Sequence, residues 1–471
     1  MEQTITHLTD VEGNWRYFNE WIHQSKQMTW NSNQQLIFRP RPMASSLFVY
    51  GGDYCDKGPG DLRIGKALND FKDHYPDSVT LIVGNRDAKC RRFSYELDPK
   101  SIRKRLLIGP VAWWQKNKIS ARDYAIQHML NNQYLSTQYQ DVEAYIKQLS
   151  IEQCQAIYLK WMLNETMGCD ARLGKPNTFE YRRQELAEIS DQKLVNISDE
   201  AVTQSFLDAV APTGQITRYL QHAQLGVIHG DTLFIHGAVT SENMGYVPGF
   251  FEATGHRLSD AREWIDALND WYRTEIQAWI AQPTEGDGIT FNIPGYKPLD
   301  RYVLFNPKSM VTANWYQKNQ LSPISDRVIN FLNQAGIYRV ISGHQPFSDF
   351  PLIIRTKHTS GTLEVIVGDT GYSDPTATED NRGRAIHQLT LAHTSDTSHV
   401  SIEAVRANGK TTKLTLPSRK DVLLGKDCTI GHFTAEGRLL RPGENGEMVS
   451  SQLNGFDVSD QTIESAHQQR I

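Results

Sequence analysis

The sequence predicts an α/β fold in which β-sheets flanked by helices carry a helical insertion and a small β-rich region at the C-terminus. Three observations predict this fold. Six short apolar runs each end in a cluster of glycine, aspartate, asparagine or histidine. Stretches with helical apolar spacing lie between some of these runs. After residue 400, short alternating runs are broken by turn-forming pairs such as Asn408-Gly409, as in hairpins.

The apolar runs are typical of strands buried on both faces, because they are short and rich in β-branched residues. They occupy residues 3–9, 46–50, 79–83, 232–235, 338–342 and 363–367. The carboxyl ends of parallel strands meet at one edge of a sheet, which is where α/β folds build their sites. Six such strand ends therefore favour one shared site over six independent surface turns.

The residues after these runs supply carboxylate, amide and imidazole groups. The candidate metal ligands are Asp10, Glu12, Asp53, Asn85, His236 and His344. Such a set suits hard or borderline divalent cations such as Mn²⁺, Fe²⁺, Zn²⁺ or Mg²⁺. Six ligands suit two ions that share a bridging carboxylate, and ions roughly 3.5–4 Å apart can hold a hydroxide between them. Asp10 and Glu12 stand at i and i+2, so both can face one ion.

The motifs resemble those of the calcineurin-like metallophosphoesterases, particularly the phosphoprotein phosphatase branch. That family has DxH, GDxxDRG, GNHE, a later HG and a later GH, each at a strand end. Here the motifs are Asp10-Val11-Glu12, residues 52–58, residues 84–87, His236-Gly237 and Gly343-His344, followed by residues 369–371 and 383–386. The resemblance covers about half the chain and implies a metallophosphoesterase-type sandwich of β-sheets.

The resemblance also implies roles for single residues. Asp53 would bridge two divalent ions, for which Mn²⁺ is expected, with Mg²⁺, Fe²⁺ and Zn²⁺ as alternatives. Asp10 and Glu12 would complete one ion site, and Asn85, His236 and His344 the other. Asp56, Lys57 and Arg86 would be the catalytic residues that act on the phosphate.

Three departures from the family pattern change the expected chemistry. Glu12 replaces a histidine ligand, which makes the first ion site all oxygen and favours Mn²⁺ or Mg²⁺. Lys57 replaces an arginine and keeps the charge but loses the bidentate fork. Arg86, with Asp56 as its partner, replaces the histidine that would protonate the leaving group. Since arginine does not release a proton in proteins, the general acid is unassigned.

The expected function is hydrolysis of phosphomonoesters by attack of a metal-bridging hydroxide. Phosphorylated proteins or small phosphoesters are the expected substrates, with a preference for aryl esters such as phosphotyrosine. Similar motifs occur in dinucleoside polyphosphate hydrolases, so hydrolysis of dinucleoside polyphosphates is a second possible function. A third reading is a catalytically weak phosphate-binding scaffold, which the departures at Glu12, Lys57 and Arg86 support.

Composition limits the partners and the compartment. The net charge of −5 over 471 residues gives no electrostatic case for nucleic acid or an anionic membrane. No apolar stretch approaches the ~18 residues of a membrane span, and the N-terminus lacks the basic region of a signal peptide. Five scattered cysteines favour reduced thiols. We expect a cytoplasmic protein, with signal-less export as the alternative.

The chain is expected to divide into three regions. Residues 1–95 and 225–400 form the catalytic domain, residues 96–224 a helical insertion that acts as a cap, and residues 401–471 a small β-rich region. Helical spacing marks residues 120–131 and 141–162 in the insertion. A further helix over residues 259–280 carries a stripe of aromatic and aliphatic residues, for which core packing is expected.

Overall fold

A computed structural model describes residues 2–40, 44–109, 119–131, 141–168, 177–283, 298–317, 320–359, 361–370, 384–393, 398–423, 426–454 and 457–463. Its strands are β1 (Glu2–Leu8), β2 (Met28–Trp30), β3 (Leu36–Phe38), β4 (Ala44–Tyr50), β5 (Val79–Leu81), β6 (Gly226–His229), β7 (Thr232–Ile235), β8 (Tyr316–Gln317), β9 (Gln320–Leu321), β10 (Arg339–Ser342), β11 (Leu352–His358), β12 (Gly361–Val367), β13 (Ile386–His393), β14 (Ser398–Val405), β15 (Thr411–Leu416), β16 (Leu439–Pro442), β17 (Met448–Asn454) and β18 (Asp457–Thr462).

The α-helices are α1 (Trp15–Gln24), α2 (Asp61–His74), α3 (Asn85–Lys89), α4 (Arg92–Glu96), α5 (Ile102–Ile108), α6 (Ala121–Asn131), α7 (Val142–Gln148), α8 (Ile151–Trp161), α9 (Thr178–Ser190), α10 (Asp199–Ala209), α11 (Gln215–His222), α12 (Phe250–Thr254), α13 (Ala261–Ala281), α14 (Pro298–Phe305), α15 (Asp326–Gln334) and α16 (Arg419–Leu423). A π-helical turn spans Met162–Thr166 and a 3₁₀ turn spans Leu194–Asn196. None of the described helices is long and apolar enough to cross a membrane.

Two sheets form the centre of the fold. The first has the strand order β15-β14-β13-β1-β4-β5, and the second has the order β11-β12-β10-β7-β6. Within the first, β4 runs parallel to β1 and β5. Within the second, β10 runs parallel to β7 and β12. The six strands predicted from the apolar runs are these six parallel strands, so their carboxyl ends point to a common edge.

The two sheets pack face to face around an apolar core. Ile5 and Val49 of the first sheet lie in one buried cluster with Phe234, Ile341 and Ile366 of the second. Helices α1, α2 and α13 contribute buried aromatic and aliphatic residues to a second cluster that covers the outer faces. Alternate strand residues thus face a sheet on one side and helices on the other, which explains why the runs are apolar throughout. The predicted α/β sandwich flanked by helices is confirmed.

Helices α5 to α11 lie within residues 96–224, where the helical insertion was predicted. Helix α6 matches the predicted helix over residues 120–131. The stretch 141–162 instead forms two helices, because α7 ends at Gln148 and Ser150 caps the start of α8. The Ser150 hydroxyl accepts from the backbone N–H of Gln153, and the Gln153 side chain accepts from the N–H of Ser150.

Strands β14 and β15 extend the first sheet beyond residue 400, where the catalytic domain was predicted to end. Their turn contains the predicted Asn408-Gly409 pair, and Gly409 has a φ of 80° that suits glycine. A separate three-stranded sheet of β16, β17 and β18 follows. The division into domains stays a prediction, and we propose that the β-rich C-terminal region starts after Leu416. Sequence alternation marks a strand but does not identify the sheet to which it belongs.

Helix α13 confirms the predicted apolar stripe. Trp264, Ile265, Leu268 and Tyr272 are buried, and the neighbouring Trp271 is half-buried with its ring 5.1 Å from that of Tyr302. The helix also holds the start of β6, because the Asn269 side chain accepts from two backbone N–H groups and donates to a carbonyl there. The stripe is therefore core packing.

We expect Leu268→Ala to lower the free energy of unfolding by about 2–5 kcal/mol, because it leaves a cavity beneath α13. Asp270, two residues on, has a side chain that is 73% exposed. Asp270→Ala is the matched control and should change stability by less than about 0.5 kcal/mol. Urea unfolding of both variants tests this, and equal midpoints would contradict the packing of this face.

Candidate metal centre

The loops after the parallel strands are tied together by backbone hydrogen bonds. The N–H of Asp10 donates to the carbonyl of Gly52 (3.0 Å), and the N–H of Gly343 donates to that of His236 (2.9 Å). Together they bring one candidate ligand atom from each of Asp53, His236 and His344 within 4.8 Å of one another. The strand ends therefore converge as the sequence predicts.

Asp53 lies at the centre of this group, and its carboxylate is buried. Its oxygen Oδ1 accepts from the backbone N–H of Arg86 (2.8 Å), and Oδ2 lies 3.5 Å from Nε2 of His236. Gly84 permits this approach, because a Cβ atom there would lie 2.0 Å from Oδ1 of Asp53. Burial alone would raise the pKa of Asp53, but His236 and Arg86 hold the pKa of this carboxyl well below its usual range.

His236 is oriented by its backbone and side-chain neighbours. Its Nδ1 lies 2.8 Å from the carbonyl of Gly51, and its Nε2 lies 3.1 Å from Oδ1 of Asn85. Because a carbonyl only accepts, Nδ1 carries a proton and Nε2 faces Asp53 and Asn85. Burial would lower the pKa of His236, but the carboxylates of Asp53 and Asp10 outweigh it and raise that pKa to about 10.

Asp10 and His344 complete the group from β1 and β10. The backbone N–H of His344 donates to both carboxylate oxygens of Asp10, at 3.1 and 3.0 Å. Burial and the charge of Asp369 raise the pKa of Asp10 well above its usual value. Burial and the neighbouring His236 lower the pKa of His344 to about 3, so its imidazole is neutral, the form that binds a metal.

These residues fit a divalent cation. The donor set combines carboxylate, amide and imidazole groups, which Mn²⁺, Fe²⁺ and Zn²⁺ accept. The raised pKa of Asp10 reflects the free-energy cost of burying its charge beside other carboxylates, and a cation among them would remove that cost. Asp10, Asp53, Asn85, His236 and His344 would hold it. Their assignment as ligands stays a prediction.

Arg86 lies among three carboxylates, one of which is that of Asp53. Its Nε is 2.7 Å from Oε1 of Glu12 and 3.5 Å from Oδ2 of Asp53, and its Nη1 contacts Oδ2 of Asp56. The predicted pairing of Arg86 with Asp56 is therefore present. Lys57 also approaches Oε1 of Glu12, at 3.4 Å. In this structure the carboxylate of Glu12 faces two cationic side chains, and its role as a metal ligand stays a prediction.

The backbone of the site is strained. Among the described residues, seven non-glycine residues have positive φ. Five of them belong to the candidate site, namely Asp10 (52°), Glu12 (47°), Asp53 (52°), Asp56 (120°) and His344 (77°). Such conformations cost of order 1–3 kcal/mol each and persist where surrounding contacts enforce them. Their concentration here supports the choice of the strand ends as the candidate functional site.

Asp87 is a buried residue to which the sequence analysis assigned no role. Its carboxylate accepts from the backbone N–H groups of Asp53 (2.9 Å), Tyr54 (3.0 Å) and Gly84 (2.9 Å). It thereby joins the loop after β4 to the first turn of α3. A signal was available, because Asp87 stands three residues after Gly84, where an acidic side chain caps a helix.

The candidate metal centre does not coincide with the larger of two pockets in the described residues. A pocket with a cavity volume of about 10 Å³ borders His344 and is lined by Gly237, Trp315 and Tyr316. A pocket with a larger cavity volume, about 40 Å³, lies at the start of β10, where Tyr338 and Arg339 line it. Its charged groups include an ion pair of Arg339 with Glu364 at 2.5 Å. We therefore locate the site by the convergent ligand atoms.

We expect Asp53→Ala to abolish high-affinity metal binding, because it removes the carboxylate at the centre of the ligand group. Asp231→Ala is the control, since Asp231 precedes β7 and lies at the opposite end of the strand from His236. Elemental analysis after dialysis against Mn²⁺ measures the effect. Two ions still bound per Asp53→Ala chain would contradict the assignment.

Comparison with known proteins agrees with the motifs. The calcineurin-like phosphoesterase family model matches residues 3–162, about a third of the chain. No curated protein sequence matches the chain. Among solved structures, a Saccharomyces cerevisiae protein serine/threonine phosphatase with similarity to human phosphatase PP5 aligns with 82% of this chain and 72% of its own, at 10% identity and a TM-score of 0.31. A likeness at that TM-score carries no inference. Residues 3–162, which carry the first three motifs, are thus similar in sequence to the calcineurin-like phosphoesterases.

Proposed function

We propose that this protein is a metal-dependent phosphatase that hydrolyses phosphomonoesters, with phosphorylated proteins or peptides as its substrates. One observation carries the proposal: candidate ligand atoms of Asp53, His236 and His344 converge within 4.8 Å at the strand ends. The match of residues 3–162 to calcineurin-like phosphoesterases supports it. Asp10, Glu12 and Asn85 complete the proposed ligand set for two divalent ions.

Two divalent ions in this site would activate a water nucleophile and neutralise phosphate charge. The protein's own groups act beside them. Arg86 is held between Glu12, Asp53 and Asp56, so its guanidinium has a fixed position next to the ligand group. From there it stabilises negative charge that develops on the phosphate. Lys57, whose side chain is 20% exposed, supplies a second positive charge to the same side.

The expected metal preference follows from Glu12. An ion site with Asp10, Glu12 and Asp53 has only carboxylate oxygens from side chains, and such ligands suit Mn²⁺ and Mg²⁺ better than softer ions. We therefore propose Mn²⁺ as the activating ion. The proposed reaction class is tested by turnover of p-nitrophenyl phosphate with Mn²⁺, Mg²⁺, Fe²⁺ and Zn²⁺ in turn.

A substrate panel separates the alternatives. Faster turnover of phosphopeptides than of dinucleoside polyphosphates supports the phosphatase, whereas the reverse order identifies a dinucleoside polyphosphate hydrolase. Phosphate binding with no turnover for any metal identifies a scaffold.

Arg86 also sets an expected order of turnover among the phosphate esters. Because it cannot protonate a leaving group, aryl esters such as phosphotyrosine should exceed alkyl esters such as phosphoserine.

We expect Arg86→Ala to lower kcat by about 10²-fold, the loss typical of removing one electrostatic donor, with the metal content unchanged. Arg86→His should restore turnover of alkyl esters preferentially, because an imidazole can protonate the leaving oxygen. The measurement is kcat/KM for phosphotyrosine and phosphoserine peptides of one sequence in the three proteins.

Arg419→Ala is the control for the loss of an arginine, because Arg419 is exposed and lies over the ring of Tyr338, in the cavity at the start of β10. It should leave both rates unchanged. Equal turnover of the two peptides by the unmodified protein would show that another group acts as the acid.

A further inference from the structure

Asp56 has an unusual backbone conformation that four contacts maintain. Its φ is 120°, a region that residues with a side chain rarely adopt. Its N–H donates to Oδ1 of Asp61 (3.0 Å), and its Oδ2 contacts Arg86. The hydroxyl of Thr178 contacts both the carbonyl oxygen of Asp56 and its Oδ1, the latter at 2.9 Å.

Thr178 belongs to the helical insertion, more than a hundred residues from Asp56 in the sequence. It is the first residue of α9 and is 4% exposed. Asn177 caps the helix by accepting from the N–H of Glu180 at 3.0 Å, so the helix start is fixed independently of Thr178. The Thr178 hydroxyl is therefore directed at Asp56 by the rigid end of a helix.

Helix α9 is also fastened to the start of α2. Arg182 pairs with Oδ2 of Asp61 at 3.0 Å, and the Glu185 carboxylate accepts from the N–H groups of Leu62 (3.0 Å) and Arg63 (3.1 Å). These charged groups are buried or nearly so, and a buried pair with further hydrogen bonds fixes geometry. Asp61, which Arg182 of α9 contacts, also accepts from the N–H of Asp56. Helix α9 therefore restrains the N–H of Asp56 through Asp61, and its carbonyl and carboxylate through Thr178.

We propose that Thr178 is a positioning residue of the metal site: its hydroxyl fixes the carboxylate of Asp56, which fixes Arg86. The helical insertion is then a part of the site as well as a cap. The expected change in kcat rests on the proposed function. The expected change in the structure of the loop over residues 53–58 does not. Oδ1 of Asp56 contacts Thr178 while Oδ2 contacts Arg86, so losing the first contact weakens the restraint on the orientation of the carboxylate toward Arg86.

The test compares Thr178→Val, which keeps the shape and removes the hydroxyl, with Thr178→Ser, which keeps the hydroxyl. Thr203→Val is the matched control. Thr203 lies in the same insertion, is 1% exposed, and donates its hydroxyl to the carbonyl of Asp199 at 2.8 Å. All three variants are made in the full chain and assayed with p-nitrophenyl phosphate and Mn²⁺.

We expect Thr178→Val to lower kcat about tenfold, the effect of losing one hydrogen bond to a charged group, with KM and metal content unchanged. Thr178→Ser should restore most of kcat, and Thr203→Val should leave it unchanged. An unaltered kcat in Thr178→Val, or an equal loss in Thr178→Ser, would overturn the proposal.

Hydrogen exchange of the backbone amides of residues 53–58 is the second readout, and it does not depend on activity. Exchange should be faster in Thr178→Val than in Thr178→Ser or Thr203→Val. If the unmodified protein hydrolyses no phosphoester with any metal, the proposed function fails, and the exchange rates alone decide the positioning role. Equal exchange in all three variants would then overturn it.

Discussion

The buried carboxylate of Asp53 is the constraint on which the rest of the site depends. A buried charge is costly unless hydrogen bonds and opposite charges satisfy it. Here the N–H and guanidinium of Arg86 and the imidazole of His236 surround the carboxylate. The carboxylate of Asp87 accepts a hydrogen bond from the backbone N–H of Asp53. His236 follows β7, whereas Arg86 and Asp87 lie in α3, after β5, so the burial of Asp53 depends on both sheets.

Charge divides the site into two sides. On one side, Arg86 and Lys57 balance the carboxylates of Glu12 and Asp56. On the other side, Asp10 faces the N–H of His344 and the charge of Asp369, and its pKa is raised as a result of burial and that charge. The two groups of carboxylates therefore differ in their electrostatic surroundings: Glu12 and Asp56 lie beside cationic side chains, whereas Asp10 lies close to another carboxylate.

The sequence predicted the elements whose signals are local. The six parallel strands, the stripe on α13 and the turn at Gly409 each follow from neighbouring residues, and the common edge of parallel strands then brings His236 and His344 together. Other contacts between distant segments were not predictable. Nothing in the local pattern around Thr178 indicates that it meets Asp56, and nothing in the alternation of β14 indicates that it joins the first sheet. These depend on long-range packing.

The strained residues explain why the insertion and the sandwich act together. Asp56 cannot hold a φ of 120° by its own preference, so the contacts around it must supply the free energy. Those contacts come from α9 through Thr178, from Asp61 at the start of α2, and from Arg86 on α3. His344 also has a positive φ, and its N–H donates to the carboxylate of Asp10. The preceding residue must be glycine, because a Cβ atom at Gly343 would lie 2.0 Å from that carboxylate. The same contacts that place the acidic groups also enforce the backbone that carries them, so the geometry of the site is a property of the assembled chain.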